Sequence, residues 1–149
     1  MTNSTCLIAL EGIGRLDLLP AVYEEVFAPP AVQAEFGTEI EWLVVKELSN
    51  PTVSMALQFQ VGKGEAAAIA LASEMSDVYI VLDDKKARRV ARQMGLKIVG
   101  TLGTLLRAKQ QGIIAEVCPI LEELKSVGFR CSSSLYGEVL RLSGEEAPR

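Results

Sequence analysis

Residues 64–100 read GEAAAIALASEMSDVYIVLDDKKARRVARQMGLKIVG, and this stretch decides the fold class. Gly64 opens an alanine-rich run, GEAAAIALASEM, with the strongest helix propensity in the chain. Within DVYIVL that follows, Val78 to Leu82 are continuously apolar, the pattern of a strand buried on both faces. Asp83 and Asp84 end that strand and begin a second helix, KKARRVARQM, which Gly95 closes in the C′ position. Leu96 to Val99 is another short strand. Helices alternating with strands predict an α/β domain with a mainly parallel sheet. Such sheets place ligands beyond the carboxyl ends of their strands, so the residues just after each strand carry most interest.

The alternation extends in both directions. Upstream, Leu7 to Ile13 reads as a short helix and Asp17 to Tyr23 as a helical stretch broken near Pro20. Glu25 to Ala28 is a short strand, and Pro29-Pro30 starts a helix. Glu41 to Leu48 is strand-like, with charges that place it at a sheet edge. Asn50-Pro51 is a helix start of the cap-then-proline kind. Downstream, Gly100 to Gln111 is helical and closes at Gly112. Ile113 to Val127 reads as helix interrupted at Pro119, and Ser132 to Leu142 ends the fold. No repeat or linker divides the chain. One domain is expected over residues 1–143, with residues 144–149 (GEEAPR) a polar, frayed tail.

The chain has 149 residues and a formal charge of −4, from 15 Lys+Arg against 19 Asp+Glu. Its 49% hydrophobic content excludes disorder as the main state. The longest apolar run, Ala66 to Ala72, is 7 residues, against the roughly 20 that a membrane span needs. The N-terminus lacks a basic region, so no secretory signal is expected. Histidine is absent, which removes the commonest general base and the usual Ser-His-Asp and Cys-His arrangements. Cys6, Cys118 and Cys131 form no C-x-x-C pair, so a thiolate zinc site is not expected and a reduced, cytoplasmic setting is. Hydrolytic chemistry in such a chain falls to carboxylates, which suit hard cations such as Mg²⁺ and Mn²⁺.

Four places stand out as carboxylate or amide candidates. Asp83 and Asp84 follow the best strand; capping the next helix explains one aspartate there better than two. Glu65 stands in the first turn of the alanine-rich helix, where favourable first-turn electrostatics is the plain alternative. Glu35 lies near Val32 on the helix PPAVQAEF, at the rim of an apolar face, although an ordinary solvated glutamate would also serve. Asn3 precedes the first helix and fits an N-cap.

Four stretches together resemble the PIN-domain family, specifically its uncharacterised VapC-like branch: NSTCLIALEGIGRLDLL, PPAVQAEF, GKGEAAAIALA and VLDDKKARRVARQMGLKIVGTLGTLLRAKQQG. The likeness runs to about Gly144. It implies a PIN-like three-layer α/β/α fold with a mainly parallel central sheet. It also implies RNA cleavage at acidic residues holding Mg²⁺ or Mn²⁺, a small antitoxin protein as partner, and a homodimer. Carried across, the family's first acid falls on Asn3 and its nearby Ser/Thr on Thr5. The later acids fall on Glu35, on Glu65, and on Asp83 or Asp84. The GTLGT stretch, Gly100 to Thr104, reads as a turn and the cap of the next helix, with Thr101 or Thr104 able to face the metal cleft.

Two departures from the family pattern bear on function. Asn3 is an amide where a carboxylate is expected, which weakens cation binding by one charge. Only Met1 and Thr2 precede it, so the first strand is expected to be shortened or missing. Lys85, Lys86, Arg88 and Arg89 crowd the helix after the acids and could position RNA phosphates, with Arg107 and Lys109 adding to the patch. A solvated helix face is the plain alternative. The residues therefore point to a metal-dependent endoribonuclease, or to a degenerate PIN domain that binds RNA or protein without cutting.

Overall fold

The computed structural model describes residues 1–145. They fall into two compact units: Met1–Leu7 with Glu25–Gly100, and Ile8–Glu24 with the chain from Thr101 onward. The first unit contains all the strands, and they are parallel, as the alternation predicts. β1 (Val26–Ala28) pairs with β2 (Leu43–Val45), Phe27 opposite Val44; β3 (Tyr79–Val81) pairs with β4 (Lys97–Val99), Ile80 opposite Ile98. The two extended residues Met1 and Thr2 join the pairs. The Met1 amino group donates to Tyr79 O at 2.9 Å and Val81 N donates to Met1 O at 2.9 Å, the pattern of a parallel ladder. On the other side Thr2 N donates to Phe27 O at 2.9 Å. The spatial order is therefore β2, β1, Met1–Thr2, β3, β4. Burial lowers the pKa of the Met1 amino group to about 6.

β2 is bonded on one side only, as its charged composition suggests: Leu43 is buried, while Val44 and Val45 are exposed. β3 departs from expectation at its start. Ile80, Val81 and Leu82 are buried, but Tyr79 is exposed, with the Lys97 ammonium 5.6 Å from its ring centre. Lys97 also pairs with Asp77, the one described non-glycine residue with positive φ (58°), in the turn before the strand.

Helices α1 (Ser4–Gly12), α3 (Pro30–Phe36), α4 (Pro51–Leu57), α5 (Lys63–Glu74) and α6 (Lys85–Gln93) surround or adjoin these strands, with α2 (Leu18–Val22), α7 (Thr101–Gln110), α8 (Cys118–Ser126) and α9 (Ser133–Ser143) in the second unit. α1 starts in the first unit and ends in the second. α5 is buried at Gly64 and from Ala66 to Ala72. Its small side chains let α3, α4, β3 and α6 pack closely against it. α6 is amphipathic, with Ala87, Val90 and Ala91 buried and the cationic residues outward or half-buried. The Asp84 side chain caps it by accepting from Ala87 N at 2.9 Å. Gly95 closes it in the left-handed region (φ 75°), with Gly95 N bonded to Arg92 O and Leu96 N to Ala91 O, a Schellman motif.

Proline corrects two boundaries. α2 is not broken at Pro20, because the ring lies in the first turn, where its missing N–H leaves no helical bond unmade. Helix is absent from residues 113–117, and Pro119 opens α8 instead of interrupting a longer helix.

The start of α8 is capped from the chain's far end. Glu145 accepts from Val117 N (2.8 Å) and Cys118 N (2.9 Å) and pairs with Lys109 Nζ (3.0 Å). Gly144 and Glu145, expected in the frayed tail, are thus part of the fold; residues 146–149 lie outside the described residues. Lys109 is committed here and not to an open cationic patch. Burial alone would raise the Glu145 pKa, but hydrogen bonds from Cys118, Val117, Lys109 and Ser143 hold it at about 2. The stabilisation from its ionised form is therefore complete above its ordinary value of 4.5 and is lost as pH falls through about 2. Urea unfolding at pH 7 should show Glu145→Ala about 1–2 kcal/mol less stable than the native chain. That gap should narrow on acidification below 4.5.

Candidate metal centre

The acids predicted from sequence all lie in the first unit, at or beyond the carboxyl ends of its strands. Glu35 reaches the site from α3, which β1 feeds through Pro29. Its carboxylate lies against the start of α5. A Cβ built on Gly64 would stand 2.5 Å from Glu35 Oε1 and 2.6 Å from Oε2, closer than side chains pack. Glycine at 64 is therefore a steric requirement of this arrangement and not only a helix opener. The Ser4 hydroxyl donates to Glu35 Oε2 at 2.5 Å, the length of a charge-assisted bond.

Glu65 stands in the first turn of α5, half-buried, and its Oε2 is buried without a hydrogen-bond partner. Burial raises its pKa above the ordinary value, and the nearby Asp84 and Glu35 charges raise it further. Glu35, Glu65 and Asp84 thus form one electrostatic group. Asp84 is exposed and contributes while one of its oxygens caps α6. Asp83 faces elsewhere: a Cβ on Gly100 would lie 3.1 Å from Asp83 Oδ1 and 3.1 Å from Arg88 Nη1. Gly100 thereby lets both side chains pass close to the end of β4.

Asn3 is almost fully buried, and its Oδ1 accepts from Cys6 N at 3.1 Å, capping α1. Thr5 is exposed on α1, and it is Ser4, one residue earlier, that bonds to Glu35. Thr101 is buried at the start of α7, in the second unit. Lys85, Lys86 and Arg89 are exposed on α6, and Arg88 is half-buried beside Gly100. Ser4 and Gly64 escape a reading based on residue type, since serine at a helix start reads as a cap and glycine as a boundary. The one available signal is glycine placed inside an otherwise ideal helical run, which costs about 1 kcal/mol against alanine.

These residues fit a hard divalent cation. All the donors are carboxylate oxygens, and Glu65 Oε2 is a buried acceptor left open. Among the described residues no three acidic or thiol side chains converge into a closed ligand set. Mg²⁺ does not require one, because it is commonly held by one or two carboxylates together with waters and substrate phosphate.

A family model described as a PIN domain matches residues 1–145, nearly the whole chain. The chain belongs to the PIN-domain family. Its fold is of a nuclease type, and PIN domains are generally dependent on a divalent metal. No curated protein and no solved structure matches the chain. Among the described residues no helix is long and apolar enough to cross a membrane.

A carboxylate whose pKa is raised destabilises the fold when ionised, and it does so increasingly as pH climbs from its ordinary value through its raised one. Glu65→Gln should therefore stabilise the metal-free PIN domain at pH 7, by up to about 1 kcal/mol given the partial exposure. The gain should vanish near pH 4.5. Thermal unfolding of both proteins in EDTA, between pH 4.5 and 7.5, measures it.

Proposed function

We propose that this PIN domain is a metal-dependent endoribonuclease of the VapC-like toxin type. It would act in the cytoplasm on RNA phosphodiester bonds, with Mg²⁺ or Mn²⁺ as cofactor. The observation that carries this reading is the Glu65 carboxylate: half-buried, with an oxygen lacking a hydrogen-bond partner among the described residues, and raised in pKa by burial and then by Asp84 and Glu35. Among the described residues no salt bridge reaches Glu35, Glu65 or Asp84. Glu35, Glu65 and Asp84 are the favoured ligands, with Asp83 turned toward Gly100 and Arg88. Asn3 offers at most a neutral amide oxygen, and Thr5 is a supporting residue.

A bound cation lowers the pKa of an attached water and offsets charge on the phosphate oxygens in the transition state. The chain's own residues supply the rest. Lys85, Lys86 and Arg89 attract the RNA backbone from solvent, and Arg88 offers a guanidinium at the strand ends. Phosphate contacts of this kind give affinity without sequence choice. A small antitoxin and a second copy of the chain are the protein partners that a VapC-like role implies.

Asn3 favours a second reading, a degenerate module that binds RNA or protein without cutting. Its carbonyl already caps α1, and it brings no charge.

Purified protein incubated with structured RNA and Mn²⁺ should cut it, and EDTA should stop the cutting. The Glu65→Ala, Asp84→Ala double variant should lose Mn²⁺ binding in a calorimetric titration; unchanged binding would overturn the assignment. Asn3→Asp should raise cleavage if the centre is weakened, and should leave it at zero if the domain only binds.

A further inference from the structure

We propose that Ser4 is a positioning residue whose hydroxyl fixes the Glu35 carboxylate at the metal site, a role that rests on reading that site as a divalent-cation centre. Glu35 is exposed on a short helix, and a glutamate in that setting ordinarily samples many rotamers. Fixing such a side chain costs up to about 2 kcal/mol of conformational entropy. Two features restrict it. The space above Gly64 receives both carboxylate oxygens, and the Ser4 Oγ–H bond holds Oε2 at 2.5 Å.

Ser4 is free to do this because its neighbour performs the task usual for serine at a helix start. Asn3 Oδ1 takes the Cys6 N–H, so α1 is capped without Ser4. The Ser4 hydroxyl reaches instead across 31 positions of sequence, from α1 to α3. The donor goes to one oxygen only, which leaves Glu35 Oε1 to a cation and gives the carboxylate a defined orientation beside Glu65. Groups that orient a ligand in this way typically change metal affinity by about 10- to 100-fold when removed.

The test compares Ser4→Ala, Ser4→Thr, Glu35→Ala and the Ser4→Ala, Glu35→Ala double variant in two assays. In titrations with Mn²⁺ alone, Ser4→Ala should bind about tenfold more weakly than the native chain. Ser4→Thr, which keeps the hydroxyl, should restore binding to within about twofold. In the Glu35→Ala background, Ser4→Ala should weaken binding no further. Urea unfolding in EDTA reads the contact without any metal, and there the pair should be non-additive by about fivefold in the unfolding constant. Additive effects in unfolding, or a threonine variant as weak as alanine, overturn the positioning role. A native chain that binds no Mn²⁺ yet shows the non-additive unfolding overturns the cation reading instead, and leaves Ser4 and Glu35 as a structural pair.

Discussion

Met1 and Thr2 hold the two strand pairs together, and the placement of the acids follows from that. The Thr2 N–H to Phe27 O bond fixes β1 beside the chain's start, and the Met1 bonds fix β3 on its other side. Because all three segments are parallel, their continuations leave the same edge of the sheet. Beyond Thr2 come Asn3 and Ser4; beyond β1, Pro29 and the helix that carries Glu35; beyond β3, Leu82 and then Asp83 and Asp84. No acid has to travel far to reach the others. Two residues of extended chain suffice because each makes its ladder bonds to a buried neighbour strand, where water cannot compete for the same groups.

Helix α5 supplies the remaining carboxylate by a different route. Its surroundings press on it from several sides, and a helix of larger residues could not be enclosed so closely. Alanine tolerates that enclosure while keeping helix propensity high. At the first turn the demand is tied to Glu35, whose carboxylate lies where the side chain of residue 64 would be and would have to swing aside for one. Glu65 follows directly, so one glycine determines how closely two carboxylates approach. Burial is the main physical origin of the raised Glu65 pKa, and repulsion from Asp84 and then from Glu35 adds to it.

The alternating architecture was legible because α5, β3 and α6 each carry an unambiguous local signal: small apolar residues, a continuous apolar run, and a cap at Asp84 with glycine at 95. Boundaries were less legible where proline has two meanings. Pro119 starts a helix and Pro20 sits inside a first turn, yet in sequence both look like interruptions. The tail misled for a related reason. Glu145 is one acid in a polar stretch, and only the fold brings it to the bare amides of Val117 and Cys118. The acids of the centre could be named individually, but not their division of labour. That Asp84 faces Glu65 while Asp83 lies by Gly100 depends on how β3 and β4 end side by side.

Asn3 shows how one position can serve stability at the expense of chemistry. It is buried, where an ionised aspartate would meet desolvation. An amide caps α1 equally well and avoids that penalty. With a cation bound the balance reverses, because each additional carboxylate then contributes attraction where before it contributed repulsion. The metal-free chain therefore favours Asn3, and a tightly loaded centre would favour aspartate. Glu65 faces the same conflict, with an oxygen that no donor among the described residues satisfies. A domain that merely binds through its basic helix gains nothing from holding a half-buried, repelled carboxylate in that state. The Glu35–Glu65–Asp84 cluster is thus a cost to the metal-free fold that a bound cation would offset.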